Sequence, residues 1–278
     1  MFAGRKLVIA TMHKKEKVLA PLFETALGVQ CMVPTEFDTD QWGTFSGEIP
    51  RIVDPLSAAR IKCLKAMEQT GCTIGVASEG SFGPHPSLFF VHANDELLIF
   101  IDQEHGLEIV CRELSTETNF NGKTVETTAD LMAFAKQVQF PSHGLIIRSA
   151  KDASAGIIKG IVNAESLHLA FKQLQAQYGS VFVETDMRAM YNPSRQLVIE
   201  ACAKKLIERI QSVCPQCEHP GFGVTDFEKG LPCSWCGSPT QSIIAHLSVC
   251  SSCGYQQKTL YPKNKTSEDP MFCDRCNP

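Results

Sequence analysis

The sequence predicts a mixed-sheet domain of the α/β (or α+β) class, followed by a small cysteine-rich domain. Two observations lead to this fold class. Through the first three quarters of the chain, short apolar runs typical of buried strands alternate with segments of helical periodicity. In the last quarter, eight cysteines fall into four C-x-x-C pairs. We therefore expect a body over residues 1–211 and a cysteine-rich domain over residues 212–278.

The first half of the body is predicted to contain three strands and two helices. The run KLVIATM (residues 6–12) is uninterrupted and apolar, as in a buried strand, and helical spacing of apolar residues then continues to Gly28. VQCMVP predicts the second strand, and Asp54-Pro55 is a strong helix start. CTIGVAS predicts the third strand, after which Glu79 is expected on a turn rich in glycine and serine.

The second half of the body continues the alternation of strands and helices. Antiparallel strands are predicted first, with turns near Asn94-Asp95 and His105-Gly106. The remaining predicted elements are, in order, a helix around residues 127–139, the strands GLIIRS and GIIKGIV, a helix over residues 165–178, the strand SVFVETD and a helix over about residues 192–212.

The composition is that of a globular protein, with 44% hydrophobic and 8% aromatic residues and a formal net charge of −4. No apolar run approaches the ~18 residues needed to span a bilayer, so we expect no membrane partner. The N-terminal segment has a short apolar run without a small-residue cleavage site, which favours a first strand over a secretion signal. These features predict a cytoplasmic protein.

The four C-x-x-C pairs predict two structural zinc ions, because each such turn presents two thiolates to one side of a metal ion. A redox role would need one pair opening a helix in a βαβ unit, and four pairs within 63 residues do not fit that arrangement. The predicted zinc ligands are Cys214, Cys217, Cys233, Cys236, Cys250, Cys253, Cys273 and Cys276.

The spacing leaves the pairing of these turns open. Consecutive pairing places 15 residues between Cys217 and Cys233 and 19 between Cys253 and Cys273, close to the spacing of about 15–20 residues seen in zinc ribbons. Nested pairing and an interleaved cross-brace are the alternatives. The spacing favours consecutive pairing.

The charge of the cysteine-rich domain argues against nucleic acid as its partner. Residues 212–278 contain five basic and six acidic side chains, and zinc-bound thiolates add further negative charge. Nucleic-acid affinity depends mainly on phosphate contacts from a basic face. We expect the aromatic residues of this domain to pack within its own small core. A protein partner remains open.

Charged residues gather at three predicted strand ends, which is where α/β folds build ligand sites. The first cluster, TMHKKEK, follows the opening strand and begins a helix. Its candidate ligand-binding residues are His13, Lys14 and Lys17. Cations and free backbone N–H groups at a helix N-terminus can hold an anion. A solvated run of lysines explains the same pattern equally well.

The second cluster combines Glu48 and Arg51, in a predicted loop, with Glu79 after the third strand. Carboxylates beside a phosphate site suit Mg²⁺, which binds one or two acidic side chains together with substrate oxygens. Glu48 and Glu79 are therefore candidate catalytic metal ligands, and Arg51 is a candidate ligand-binding residue. For Glu79 alone, a role in capping a turn fits as well.

The third cluster, VETDMRAMYNPSR, places Asp186, Arg188 and Arg195 between a strand end and a helix start. Asp186 is the third candidate catalytic carboxylate. Arg188 and Arg195 are candidate ligand-binding residues. Ordinary ion pairing is the alternative for this cluster.

The chain resembles two families. As a whole, it resembles a bacterial family of unknown function that joins an uncharacterised N-terminal domain to a cysteine-rich tail, through MRAMYNPSR, GLPC and the four C-x-x-C pairs. Residues 6 to about 120 are also similar to the inosine-triphosphate pyrophosphatase-like superfamily. The segments that carry this similarity are LVIATMHKKEK, TFSGEIPR, AARIKCLKAMEQTG, ASEG and LLIFIDQEHGLEIVCRELS, and NPSRQLVIEACAKKL resembles a late helix of that superfamily.

The second resemblance implies hydrolysis of non-standard nucleoside triphosphates with Mg²⁺, and it implies a base-side role for Arg195. The sequence departs from that superfamily at two places. His13 or Lys14 stands where an asparagine is usual, and the usual acidic pair is reduced to Ser78-Glu79. These departures are compatible with ligand binding and count against hydrolysis.

Two functions are therefore open at the level of sequence. One is a zinc-containing, Mg²⁺-dependent nucleotide phosphohydrolase, or a binder of a nucleotide or other phosphate ligand. It is favoured by the gathering of charge at strand ends. The other is a non-enzymatic zinc-ribbon binding or adaptor protein, which the reduced acidic pair favours.

Overall fold

The computed structural model describes residues 1–37, 53–153 and 155–278 of the chain. The strands of this part of the chain are β1 (Lys6–Ala10), β2 (Gln30–Met32), β3 (Ile74–Pro84), β4 (His92–Asp102), β5 (Leu107–Ser115), β6 (Gly122–Val125), β7 (Leu145–Arg148), β8 (Ile157–Ile161), β9 (Val181–Thr185), β10 (Val224–Lys229), β11 (Ile243–Val249) and β12 (Gln256–Leu260). The α-helices are α1 (Glu16–Leu27), α2 (Pro55–Thr70), α3 (Thr128–Gln137), α4 (Ala164–Tyr178) and α5 (Pro193–Gln211).

The chain divides into two units, an N-terminal unit of residues 1–206 and a cysteine-rich unit of residues 207–278. The boundary predicted from the sequence, after residue 211, lies a few positions further along the chain. In the described part of the chain, no helix combines the length and the apolar character needed to cross a membrane.

The first sheet of the N-terminal unit has the strand order β2-β1-β3-β4-β5. β1 pairs in parallel with both β2 and β3, whereas β4 pairs antiparallel with β3 and with β5. The parallel pairs follow from the helices, because a parallel neighbour needs a crossover connection and α1 and α2 provide it. The carboxyl ends of β1 and β3 consequently lie toward the same edge of the sheet.

β3 and β4 form a longer hairpin than the sequence suggests. Their register runs without interruption from Ile74 opposite Asp102 to Pro84 opposite His92. The predicted turn at Glu79 and the predicted turn near Asn94-Asp95 are therefore both wrong. Small residues signal turns in an isolated segment, but here two strands of equal length keep them extended through backbone pairing. The predicted turn at His105-Gly106 is present between β4 and β5.

α2 covers one face of the first sheet because its small residues allow close packing. Asp54 accepts hydrogen bonds from the backbone N–H groups of Leu56 and Ser57 and so caps the helix start. The small and apolar side chains of α2 join those of β1, β3 and β4 in one core, which includes Val8, Ala59, Cys63, Ala66, Met67, Ala77 and Ile99. Lys62 lies on this same buried side of α2.

The second sheet of the N-terminal unit has the order β6-β9-β7-β8, and all its pairs are antiparallel. The N-cap residues of α3 and α4 are Thr127 and Asn163, whose side chains accept hydrogen bonds from backbone N–H groups of the first turn. Apolar residues from both helices and this sheet form a second core, which includes Leu131, Phe134, Leu145, Ile147, Leu167, Phe171, Val181 and Val183. The predicted mixed α/β fold class is confirmed.

The cysteine-rich unit contains the three-stranded antiparallel sheet β10-β11-β12. Its aromatic residues do not all pack inward as the sequence suggests, since Trp235 is 80% exposed and Phe227 is 51% exposed. Phe222 and Tyr255 do contact each other, with ring centroids 5.9 Å apart. The aromatic side chains therefore provide only part of the packing of this unit.

Candidate functional site

The eight paired cysteines form two groups of four sulfur atoms. The first zinc-type site consists of Cys214, Cys217, Cys250 and Cys253, and the second consists of Cys233, Cys236, Cys273 and Cys276. Within each site all four Sγ atoms lie within 4.8 Å of one another. The Sγ atoms of Cys217 and Cys250 are 3.6 Å apart, as are those of Cys236 and Cys273.

These separations fit a tetrahedral zinc ion. Four sulfur atoms at a zinc–sulfur distance of ~2.3 Å stand about 3.8 Å from one another. The backbone also supports zinc coordination, because the N–H groups of Gln216 and Trp235 donate to the Sγ atoms of Cys214 and Cys233, each at 3.4 Å. Such donors stabilise thiolates. The two four-cysteine sites indicate two structural zinc ions.

The expectation of consecutive pairing is wrong, and the pairing is interleaved. The first C-x-x-C pair shares a site with the third, and the second pair shares a site with the fourth. This arrangement is the cross-brace that the sequence leaves open as an alternative. Sequence spacing misleads here because it does not include the direction of the strands between the pairs.

Strand direction explains the interleaved pairing. β10 starts after the first cysteine pair, and its first residue, Val224, lies opposite Ser248 near the end of β11. The third pair follows directly after β11, so the first and third pairs meet at one end of the sheet. β11 and β12 are also antiparallel, with Ala245 opposite Leu260. The second and fourth pairs, which follow β10 and β12, therefore meet at the other end.

A second group of candidate functional residues, all with charged side chains, lies in the N-terminal unit just after the end of β1. We define the charged cluster as Lys15, Lys62, Glu79, Glu96 and Arg195, all of which are buried. The ammonium of Lys62 lies 2.5 Å from Glu79 Oε1. The guanidinium of Arg195 donates to both oxygens of Glu96, each at 3.1 Å. The carboxylates of this cluster are therefore both paired with protein cations.

Lys15 reaches the same cluster from the start of α1. Its Nζ donates to Ser78 Oγ at 2.7 Å and to the Ser78 carbonyl at 3.2 Å, and it lies 3.7 Å from Glu96 Oε1. Burial lowers the pKa of Lys15 to about 8, and the positive charge of Arg195 acts in the same direction. Glu96 and Glu79 oppose this shift. Lys15 is thus a buried ammonium that loses its proton near pH 8.

His13 lies beside the charged cluster, and its pKa reflects the electrostatic potential there. Its pKa is lowered to about 3, first by burial and then by the charges of Lys15, Arg195, Arg188 and Lys62. The imidazole is therefore neutral at pH 7. Four cations act on a single imidazole, so the space around His13 has a positive potential that favours anions.

The two faces of the first sheet both contribute to the charged cluster. Successive side chains of a strand alternate between faces, so Glu79 lies on the face covered by α2, where Lys62 meets it. Glu96 stands opposite Gly80 in the register and therefore lies on the other face, where Arg195 of α5 meets it. β1 ends opposite Ala77, one residue before Ser78, and Lys15 fills the position beyond that end.

The site residues that the sequence predicts in the N-terminal unit separate into four groups, the last of which is the pair Asp186 and Arg188. His13, Glu79 and Arg195 lie in or beside the charged cluster. Lys14 and Lys17 are exposed, and Lys15 is the lysine of this turn that enters the cluster. Glu48 and Arg51 lie outside the described residues.

Asp186 and Arg188 form a separate ion pair after β9. The Arg188 guanidinium donates to Asp186 Oδ2 at 2.6 Å, and the backbone N–H of Gly160 donates to the same oxygen at 3.1 Å. Asp186 is fully buried and anchors the second sheet through these bonds. These bonds pair Asp186 with Arg188, which adds positive potential at His13, and the catalytic role of Asp186 stays a prediction.

Sequence reasoning missed Lys62 and Glu96. Lys62 does leave a signal, because it interrupts the buried side of α2 between Ala59 and Ala66. A lysine within such a stripe predicts a buried partner. Glu96 precedes the apolar run of β4, and nothing in the local sequence distinguishes it from an exposed acid.

The fold and the cysteine sites define a mixed α/β protein with two metal centres of four cysteines each. The chain belongs to the DUF6671 family, described as a domain of unknown function, whose model matches residues 62–278. No curated protein matches the chain, and no solved structure matches it. The expected membership of a family of unknown function is confirmed. The similarity to the inosine-triphosphate pyrophosphatase-like superfamily is not shown by these comparisons.

Interleaved pairing can be tested by counting zinc in two double variants. Cys217→Ser with Cys253→Ser removes two ligands of the first site only, so we expect one zinc ion per chain to remain by elemental analysis. Cys217→Ser with Cys236→Ser damages both sites, so we expect both ions to be lost, because a site that has lost a thiolate ligand holds zinc poorly. Consecutive pairing requires the reverse result. The wild-type protein, with two ions, is the reference.

The Arg195–Glu96 ion pair lies close to Gly80, and this can be tested by adding one methyl group at Gly80. A Cβ atom at Gly80 would stand 2.6 Å from Glu96 Oε2 and closer still to Arg195 Nη2. We expect Gly80→Ala to separate this ion pair and to lower the free energy of unfolding by about 1–3 kcal/mol. Gly83→Ala, in the same strand with open space around its Cβ, is the matched control and should change it by less than about 0.5 kcal/mol. Equal denaturation midpoints for the two variants would contradict this account.

Proposed function

We propose that the N-terminal unit binds a nucleotide, or a closely related phosphate-bearing small molecule, at the charged cluster. The observation that carries this proposal is an imbalance of buried charge. Among the described residues of the cluster, three cations (Lys15, Lys62 and Arg195) face two carboxylates (Glu79 and Glu96). A bound anion would balance the remaining positive charge.

The energetic reason is the cost of burying an unbalanced charge. A buried ion is stable only when partners compensate for its lost hydration. Lys15 has the weakest compensation in the cluster, since its nearest carboxylate oxygen is 3.7 Å away, and its pKa is lowered accordingly. A phosphate oxygen near Lys15 would supply the missing negative charge. The cluster also lies just beyond the carboxyl end of the parallel strand β1, and α/β folds bind ligands at such strand ends.

An aromatic cavity beside the cluster supports a nucleotide over a simple phosphate. The Arg195 guanidinium lies over the Phe82 ring, 5.1 Å from its centroid. Phe82 in turn lines a cavity of about 550 Å³ together with His92, Phe120, Lys123 and Phe182. Aromatic side chains offer stacking surfaces to a base. In this proposal the phosphates occupy the cluster and the base occupies the cavity.

Mg²⁺-dependent hydrolysis is the second candidate function. It is favoured by the presence of two carboxylates, Glu79 and Glu96, beside the proposed phosphate position. Magnesium needs direct access to carboxylate oxygens, whereas these carboxylates already pair with Lys62 and Arg195. Binding without magnesium is therefore the primary proposal, and hydrolysis would require a ligand-dependent exchange of these ion pairs.

The primary proposal predicts a specific effect of Lys15. We expect Lys15→Met to weaken binding of adenosine, guanosine or inosine triphosphate by about 10- to 100-fold in isothermal titration calorimetry without magnesium. One charge-assisted hydrogen bond is worth about 1.5–3 kcal/mol, which corresponds to that range. Lys65→Met is the control, because Lys65 is an exposed lysine of α2 paired with Glu68. It should leave the affinity unchanged.

Two results would contradict nucleotide binding at this cluster. One is that the folded wild-type protein binds none of the three nucleotides at millimolar concentration, which would favour the adaptor function instead. The other is that Lys15→Met and Lys65→Met have equal effects. Adding Mg²⁺ and measuring phosphate release then tests the second candidate separately.

The pKa of Lys15 predicts how binding depends on pH. Lys15 is protonated below about pH 8 and loses its charge above it. Nucleotide affinity should therefore fall as the pH rises from 7 to 9, and binding near pH 8 should take up protons, because the bound anion raises the pKa of Lys15. Calorimetry in buffers of different ionisation enthalpy measures this uptake. An affinity that does not change with pH would contradict the prediction. So would a pH profile in Lys15→Met that is the same as in the wild type.

A further inference from the structure

A serine and a histidine outside the charged cluster form a contact that neither the zinc sites nor the proposed nucleotide site uses. His143 Nε2 lies 2.9 Å from Ser194 Oγ, and His143 Nδ1 lies 3.0 Å from Ser142 Oγ. His143 is buried after the end of α3, and Ser194 lies in the first turn of α5. We propose that Ser194 is a nucleophile activated by His143, and that it accepts an acyl group from a small ester.

The hydrogen bonds around His143 determine which nitrogen carries the proton. The Ser142 hydroxyl donates to the Gln139 carbonyl at 2.6 Å, so its oxygen is left to accept from His143 Nδ1–H. Nε2 is then the unprotonated nitrogen and accepts from the Ser194 hydroxyl. A nucleophile, a base and a group that orients the base are the three parts of such a site. Burial also lowers the pKa of His143, which keeps the imidazole neutral.

Ser194 opens onto a cavity, whereas many serines at helix starts face only solvent. The cavity has a volume of about 370 Å³, and its lining includes Gln139, Ser194, Leu197 and Val198. That volume suits a small molecule. Leu197 and Val198 offer an apolar surface to an acyl chain.

The charge of the cavity narrows the substrate class further. Glu117 lines the cavity and disfavours an anionic substrate, whereas Glu113, which also lines it, is paired with Lys205. The N-terminus of α5 has a positive dipole end that would favour a developing oxyanion, and Gln139 lines the same cavity. The substrate class is therefore an uncharged or cationic ester of a short acyl group.

The proposed reaction is balanced with water as the only co-reactant. Ser194 Oγ forms a bond to the acyl carbon while its proton moves to His143 Nε2. The ester bond then breaks, and His143 gives that proton to the departing alcohol. In the second step, water attacks the acyl carbon and gives a proton to His143. The bond between the acyl carbon and Ser194 Oγ then breaks, and His143 returns the proton to Ser194 Oγ.

A purely structural role is the competing explanation. The backbone N–H of Ser194 also donates to His143 Nε2, at 3.2 Å, so His143 helps to cap α5. Capping requires only the backbone contact. Activation requires the hydroxyl contact and gives Ser194 an enhanced reactivity toward acylating and phosphonylating reagents.

Covalent labelling of the full-length, zinc-loaded protein distinguishes the two roles. A fluorophosphonate probe should modify Ser194, as peptide mass mapping shows, and p-nitrophenyl acetate should acetylate the same residue. We expect His143→Asn to slow the labelling of Ser194 at least about 100-fold, which is the lower range for loss of a general base. Ser166→Ala removes another serine near a helix N-terminus, that of α4, and should leave the labelling of Ser194 unchanged.

Two outcomes would overturn the proposal. One is a folded wild-type protein in which neither probe modifies Ser194. The other is labelling of Ser194 at an equal rate in wild type and in folded His143→Asn. If His143→Asn does not fold, Ser142→Ala provides the second measurement, because it removes the group that orients His143 and should slow labelling while the wild-type circular dichroism is kept.

Discussion

Glu96 is the buried carboxylate around which the N-terminal unit is organised. It has no exposed surface, and it lies in β4 at the centre of the longest hairpin of the first sheet. Arg195 brings the first turn of α5 to it, and Lys15 brings the start of α1. A buried carboxylate needs such partners because it cannot remain charged without them. The relative positions of these elements therefore depend on one charge.

The same constraint determines the chemistry of the proposed ligand site. Glu79 and Glu96 serve first as counter-ions for Lys62 and Arg195, and Lys15 is left with a weaker partner. In the proposed site these ion pairs favour an anion over a cation, and magnesium binding by its carboxylates stays a prediction. Gly80 belongs to this arrangement as well, since a side chain there would occupy the space of the Arg195–Glu96 pair.

The cysteine-rich unit is organised by a different constraint. Among the described residues 207–278, the buried aliphatic side chains other than proline are Ile207, Ile210, Leu231 and Ala245, which is little apolar surface to stabilise a fold of this size. Metal coordination supplies the missing stability, as it does in other small zinc-dependent domains. The interleaved pairing strengthens the effect, because each ion connects the two cysteine pairs at one end of the same sheet.

Periodicity and C-x-x-C spacing are local patterns, so the fold class, most of the strands and helices and the eight paired cysteines could be predicted from the sequence alone. The sequence also located the region of the charged cluster through His13, Glu79 and Arg195. Which of these residues contact one another is visible only in the tertiary structure. Lys15 enters the cluster in place of Lys14 and Lys17, the pairing of cysteines is interleaved, and the segment around Glu79 is a strand. Each of these outcomes depends on contacts between residues far apart in the chain, and strand direction and burial, which no local pattern records, determine those contacts.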